Sequence, residues 1–272
     1  MVRAFAGIGT ASFAAALLAS CAAGPAAPPL PPPPAHPNGQ VLWQIVHGQC
    51  VPGQQSQGKP APCAEVDLAR GEDHGFAVLK DRAGATQYLV MPTRLITGIE
   101  DTRLRDPGAT NYFAPAWRVR VLVEAKLGAP LAATDTSIAV NSIYGRTQDL
   151  LHLHVDCIRS DVRNAIAGAA PGITYHWSST PLMLAGHPYR ALRIDGAEVP
   201  TSDPFDLLAR GLHVPPGEMG AWTLVLAGAQ FLDGRPGFVL LAGRADPASG
   251  NDGSGEELQD HDCTGRGPTA GH

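Results

Sequence analysis

The stretch Ala139-Val-Asn-Ser-Ile-Tyr-Gly-Arg-Thr-Gln-Asp-Leu-Leu-His-Leu-His-Val-Asp-Cys157 decides how this chain is read. It closes a short apolar strand (residues 137–141), turns through a small polar loop around Gly145, and re-enters an apolar alternation carrying His152 and His154. Side chains two apart on a strand share a face, so both imidazoles project together while Leu151, Leu153 and Val155 pack behind them. Paired imidazoles beside a loop of amides and hydroxyls suit chemistry at phosphorus. One ring nitrogen can attack if a partner fixes the other, and nearby donors can hold the non-bridging oxygens. Asn141, Arg146, Thr147, Gln148, the amides around Gly145, and His154 itself are the candidate donors. Lys80, at the end of a strand-like run, is a further cation with the reach for a phosphate. A zinc site built from the two histidines and cysteines is the competing reading, but no paired CxxC spacing supports it.

Working outward, the N-terminus sets the compartment. Arg3, the apolar residues 4–18 and Leu18-Ala-Ser-Cys21 form a secretory signal with a lipobox-like end. An uncleaved membrane anchor is the alternative, although the run is short and alanine-rich for a spanning helix. On this reading residues 1–20 are a lipoprotein signal and Cys21 is lipidated. Residues 21–39 form an Ala/Pro-rich spacer, 40–263 a single catalytic domain, and 264–272 a loose tail. The protein would face the periplasm of a bacterial envelope, held to a membrane by its lipid. The net charge of −5 over 272 residues gives no basis for nucleic-acid binding. Four cysteines remain after Cys21, and an even count in an exported chain implies disulfides, with three pairings open. Cys50–Cys63 would close a local loop that has no other means of ordering itself. That leaves Cys157–Cys263, tying the histidine strand to the C-terminal region.

The remaining periodicities are mixed. Helices are expected over 41–47, over 114–127 with Trp117, Val121 and Ala125 as its stripe, from a Ser160-Asp161 cap to 169, and over 204–210 with Ser202 near the cap. Strands are expected over 75–82, 86–93, 173–177 and 189–194, with a hairpin of 222–231 and 237–243 around Asp233. Residues 246–255 read as a flexible loop. Trp43 and Trp117 read as core, Asp156 as structural, and His261 as a candidate carried toward the histidine strand by the Cys157–Cys263 bridge.

The pattern around His152 resembles the histidine triad superfamily of nucleotide hydrolases and transferases. The nucleophilic histidine falls on His152 and the third on His154, while the first triad position holds Leu150. A closer resemblance covers most of the folded region. Cys50-Val-Pro…Cys63-Ala-Glu-Val66, Gln87-Tyr-Leu-Val-Met-Pro-Thr93, Ile96-Thr-Gly-Ile-Glu100, His152-Leu-His154…Arg163 and Glu257-Leu-Gln-Asp-His-Asp-Cys263 are similar to bacterial CDP-diacylglycerol pyrophosphatases. In that family too the first triad position is not histidine. The resemblance implies an α+β fold, with a histidine-triad-like antiparallel sheet and helices on one face. Residues 171–263 have an order compatible with a degenerate second half, without a second His-x-His, and a homodimer is another way to build such a half. It also implies hydrolysis of CDP-diacylglycerol to CMP and phosphatidate through a nucleotidyl–histidine intermediate, with no metal or cofactor required. A triad-type enzyme acting on another nucleotide and a non-catalytic metal-binding lipoprotein are the alternatives.

Overall fold

The computed structural model describes residues 1–2, 30–196 and 202–267. Residues 3–20 of the expected signal, the expected lipidation site Cys21, residues 22–29 of the expected spacer and the end of the tail lie outside the described residues. The chain separates into Met1–Leu30 and Pro31–His272, and the account below concerns the second unit. Among the described residues no helix is long and apolar enough to cross a membrane.

Helix α1 (Val41–Ile45) runs through a wide turn, Val46–Cys50, into α2 (Val51–Gln57). Then come β1 (Glu65–Asp67), the hairpin β2 (Phe76–Lys80) and β3 (Tyr88–Pro92), and α3 (Phe113–Leu127), which Gly128 ends in the left-handed conformation. Strands β4 (Thr136–Val140) and β5 (Leu153–Ile158) flank the polar loop, and α4 (Ser160–Ala169) follows. A second hairpin, β6 (Leu182–Leu184) with β7 (His187–Asp195), leads to α5 (Pro204–Gly211). The chain finishes with β8 (Trp222–Gln230), β9 (Pro236–Arg244) and β10 (Gln259–Asp260).

The ten strands among the described residues form one sheet, in the order β1-β2-β3-β5-β4-β8-β9-β7-β6, with β10 against the end of β5. Every pairing is antiparallel. The order contains a repeat. A hairpin, a helix and two strands arranged β2-β3-β5-β4 recur as β6-β7-β9-β8, with α3 and α5 in the same place in each. The halves meet along β4 and β8, where Ile138 stands opposite Leu226.

Both sheet faces carry apolar patches, so both need cover. Ile138, Val140, Leu153, Val155, Leu224, Leu226 and Leu240 pack under α3 and α5. There Trp117 meets Phe238 edge-on at 4.7 Å, and Phe113 meets Phe205 at 5.4 Å. On the opposite face α1 and the turn after it set Leu42, Val46 and Cys50 on Leu89 and Met91, and α4 sets Val162 and Ile166 on Val225, Val239 and Leu241. The helices therefore lie on both faces, where one was expected.

Several local expectations are corrected. The buried stripe of α3 is Phe113, Ala116, Trp117 and Val123, whereas Val121 is 53% exposed and Ala125 is exposed. Arg159, pairing with Asp161, stands before α4 with no side-chain cap. Asp203, not Ser202, caps α5 by accepting from the Phe205 amide. Residues 173–177 form no strand, and two backbone bonds, Ser178 to Ala191 and Arg193 to Thr174, tie this region to β7. The 246–255 loop is pinned, because Asp246 bridges Asn251 and Ser142 bonds to Asp252 and Gly253.

Candidate active site

Between α1 and α4 the sheet is left open, and there β5 presents its polar face. Alternation sends Leu153, Val155 and Cys157 into the core under α3, which leaves His154 and Asp156 on the other side. His152, just ahead of the strand, keeps the same phase. A cavity of about 380 Å³ opens over it. His152, His154, Asn141 and Glu256 line its polar end, and Val41, Leu42, Ile45, Leu79 and Leu89 form an aliphatic wall. A larger cavity of about 890 Å³ beside α5 holds neither histidine. Size alone does not pick the site, and the chemistry does.

The two imidazoles differ in their partners. His152 Nδ1 lies 2.6 Å from the Leu150 carbonyl oxygen. A carbonyl can only accept, so Nδ1 carries the proton and donates it. Nε2 is thereby left with its lone pair, on a ring that lines the cavity. Burial, with His154 alongside, lowers the His152 pKa to about 4, which keeps the ring neutral near pH 7. Leu150, where the triad would place a histidine, thus contributes its backbone oxygen and not a side chain.

His154 lies with its ring centre 4.8 Å from that of His152. Its Nδ1 is 3.0 Å from Glu256 Oε1, a close charge contact without hydrogen-bond alignment, and both ring nitrogens are buried without an aligned partner. Glu256 is clasped from several sides. Asn141 Nδ2 donates to Oε2 at 2.6 Å and Gln87 Nε2 to Oε1 at 3.2 Å. Burial opposes its ionisation, but His154 and these two amides outweigh it and hold the carboxyl well below the usual carboxylate range.

A second layer stands behind this. Asp156 is wholly buried and accepts from Thr86 Oγ1 at 2.7 Å and the Cys157 amide at 2.9 Å. His261 Nδ1 reaches its other oxygen at 2.9 Å, and that carboxylate raises the His261 pKa. His261 Nε2 is 4.0 Å from Glu256 Oε1. The Cys157–Cys263 bridge brings these segments together, and Cys50–Cys63 closes a loop that contains α2 and the turn after it. Both pairings are those expected, and they consume the cysteines a zinc site would need.

The polar loop is less available than its composition suggests. The amides of Tyr144, Gly145 and Arg146 all donate to Ser142, so they are no phosphate cradle. Gly145 is there for packing, since a Cβ on it would come within 3.1 Å of the Asp252 and Gly253 carbonyls. Arg146 is buried and bound to Glu100 at 2.7 Å and Asp149 at 3.3 Å. It is not among the cavity residues, so its assignment to phosphate gives way to a structural one. Gln148 lines the cavity, but its Oε1 accepts from the Leu42 amide at 3.0 Å and its Nε2 donates to Asn38 at 3.0 Å. It caps the start of α1 and does not serve as a free donor. Asn141 is committed to Glu256. Thr147 remains an exposed hydroxyl on the cavity. Lys80 lines the rim with Nζ held by the Asp81 and Gly84 carbonyls at 2.6 and 3.2 Å, and partial burial lowers its pKa.

Glu256 and Gln87 were not singled out from the sequence. The signal for Glu256 was the bridge itself, because an acid seven residues before Cys263 is brought back to the strand that holds Cys157.

The family described as CDP-diacylglycerol pyrophosphatase matches residues 37–266, which span the two halves and every cavity residue named above. The CDP-diacylglycerol pyrophosphatase of Yersinia pestis is 41% identical over 226 residues, covering 83% of this chain and 84% of that protein. Through these matches the chain belongs to the CDP-diacylglycerol pyrophosphatases, a family of hydrolases.

Proposed function

We propose that the chain hydrolyses CDP-diacylglycerol to CMP and phosphatidate in two displacements at the phosphorus attached to cytidine. In the first, His152 Nε2 forms a bond to that phosphorus and the bond to the phosphatidate oxygen breaks. In the second, water forms the new P–O bond, His152 leaves as neutral imidazole, and the water's proton passes to solvent. The observation that carries this reading is the Leu150 carbonyl at His152 Nδ1. It fixes the tautomer with Nε2 free, and it balances the charge the ring acquires when Nε2 becomes bonded to phosphorus. Glu256 Oε1, 3.0 Å from His154 Nδ1, holds that ring beside His152 on the cavity, on the side a phosphoryl oxygen would occupy. Phosphatidate is a good leaving group, so the reading asks for no strong general acid.

The strand order supports a histidine-triad-like architecture in which the second half stands where a partner subunit would, so a homodimer is not needed to complete the sheet. The two disulfides accord with an oxidising, exported setting, as the reading of residues 1–20 and Cys21 as signal and lipid anchor requires.

Trapping tests the mechanism. Protein is mixed with substrate labelled in the cytidine, quenched in alkali, and digested. Label on the peptide carrying His152, stable in base and lost in acid, is the expected result, as is its disappearance in His152→Ala. Full turnover by His152→Ala sinks the covalent step.

A further inference from the structure

The cavity is chemically two-sided, and only its polar end is used by the displacement above. Its other side is built by helix periodicity. Val41 and Ile45 are four apart on α1 and so share one stripe, while Leu42 and Val46 occupy the next stripe and pack on the sheet against Leu89 and Met91. Val41 is 40% exposed, a valine left open at the mouth of the site on the same side as Ile45 and Leu79. Leu79, only partly buried, extends the same surface from β2. The N-terminus of α1 is held in place by Gln148, whose neighbour Thr147 lines the polar end. One short loop thereby fixes the wall relative to the histidines.

We propose that Val41, Ile45 and Leu79 form the subsite for the glycerolipid half of the substrate, oriented so that the pyrophosphate lies over His152 and His154. The inference rests on the function proposed above and adds where the lipid goes. The competing occupant is the cytidine. A cytosine edge carries donors and acceptors that a pocket must match, and this wall offers only aliphatic carbon with no aromatic face for stacking. Acyl chains and a glycerol backbone ask for nothing else.

The test compares two substrates with the same pyrophosphate: dioleoyl CDP-diacylglycerol in detergent micelles, and CDP-glycerol, which has no acyl chains. The reading is the ratio of kcat/KM for the first over the second. Val41→Asn and Leu79→Asn are each expected to lower that ratio by about tenfold, whereas Val121→Asn on the far side of the sheet leaves it unchanged. A parallel fall on both substrates places the cytidine on the wall, or assigns the wall a purely structural part, and overturns the inference. An unchanged ratio overturns it as well. The same ratio is read from binding affinities in a His152→Ala background. If that variant still turns over, the nucleophile assignment fails, while the ratio continues to report on the wall.

Discussion

The two halves of the sheet have the same strand order and opposite contents. In the first half β5 turns His154 and Asp156 onto the open face, with His152 just ahead of them. In the second half the strand in the corresponding place, β9, turns Val239 and Leu241 onto that face, and α4 with Val162 and Ile166 fills the space above. One scaffold position thus holds a buried polar cluster under a cavity, and its counterpart holds close-packed hydrocarbon. Polar groups on a sheet face are costly unless each finds a partner; Glu256, Asn141, Gln87 and Thr86 meet most of that cost in the first half, while the His154 ring nitrogens are left without an aligned partner. The second half carries a lighter burden on this face, where the buried Tyr189 donates its hydroxyl to Glu257 at 2.6 Å, and it supplies stability.

The sharpest way to break this contrast is to damage each half in turn. His152→Ala should lower CMP release by about 10⁴-fold or more, measured at full folding. Leu241→Ala should cost about 3 kcal/mol in urea unfolding, with the turnover of the folded fraction unaltered. If the two variants resemble each other in either measurement, the division of labour is wrong.

The bridges come next. Cys157–Cys263 spans 106 residues and Cys50–Cys63 spans 13. Loop-closure entropy gives the long bridge about 4–5 kcal/mol and the short one about 3 kcal/mol. The long bridge also returns the segment with Glu256 and His261, which follows the second half, to the first. Replacing both of its cysteines by serine should lower the melting temperature more than the same change at the short bridge, and should lower kcat as Glu256 loosens. Equal losses would show that the C-terminal segment is held by β10 pairing alone.

Acid should find the same weak point. An unfolded histidine takes up its proton below pH 6.5, but folded His152 does so only below about 4. The unfolded state therefore binds more protons across that window, and stability falls as pH drops from about 6.5 to 4. Over 2.5 units the loss from this group is about 3 kcal/mol. Urea titrations at pH 7 and pH 4 should show it in the native chain and a smaller loss in His152→Asn. An identical acid loss in both would mean that His152 is not held neutral by the fold.

How much of this was legible beforehand depends on what each inference needed. The face shared by His152 and His154 follows from alternation alone, and the bridges follow from the even cysteine count expected of an exported chain together with the local loop that Cys50 and Cys63 would close. The loop failed as a donor cradle because sequence names donors but not the acceptors that claim them. Ser142 takes three amides, and Leu42 and Asn38 take both ends of Gln148. The stripe on α3 failed because valines at 119, 121 and 123 alternate with charged or bulky residues and give the 3.6-residue period little contrast. Glu256 lay a hundred residues from its histidine in a loop without periodicity, and only the bridge pointed to it. In the second half the β8–β9 hairpin was legible from its turn, whereas the β7–β9 and β4–β8 pairings are long-range and no local pattern encodes them.

Lys80 gives the smallest expected effect and the finest reading of the first half. It sits at the end of β2 on the cavity rim, and a phosphate ligand at that place would be worth on the order of 10²–10³ in rate. Its ammonium, however, is already satisfied by two carbonyls of its own hairpin turn, and the corresponding hairpin β6–β7 turns through Ala185 and Gly186 with no lysine at all. A cation that closes a turn acts on the cavity only through space, and salt weakens that action. Lys80→Met should therefore lower kcat/KM by less than about tenfold, with most of the difference disappearing at high ionic strength. A salt-independent loss of about 10²-fold would show that the turn releases Nζ to the substrate when it binds, and would return Lys80 to the group that holds the phosphate.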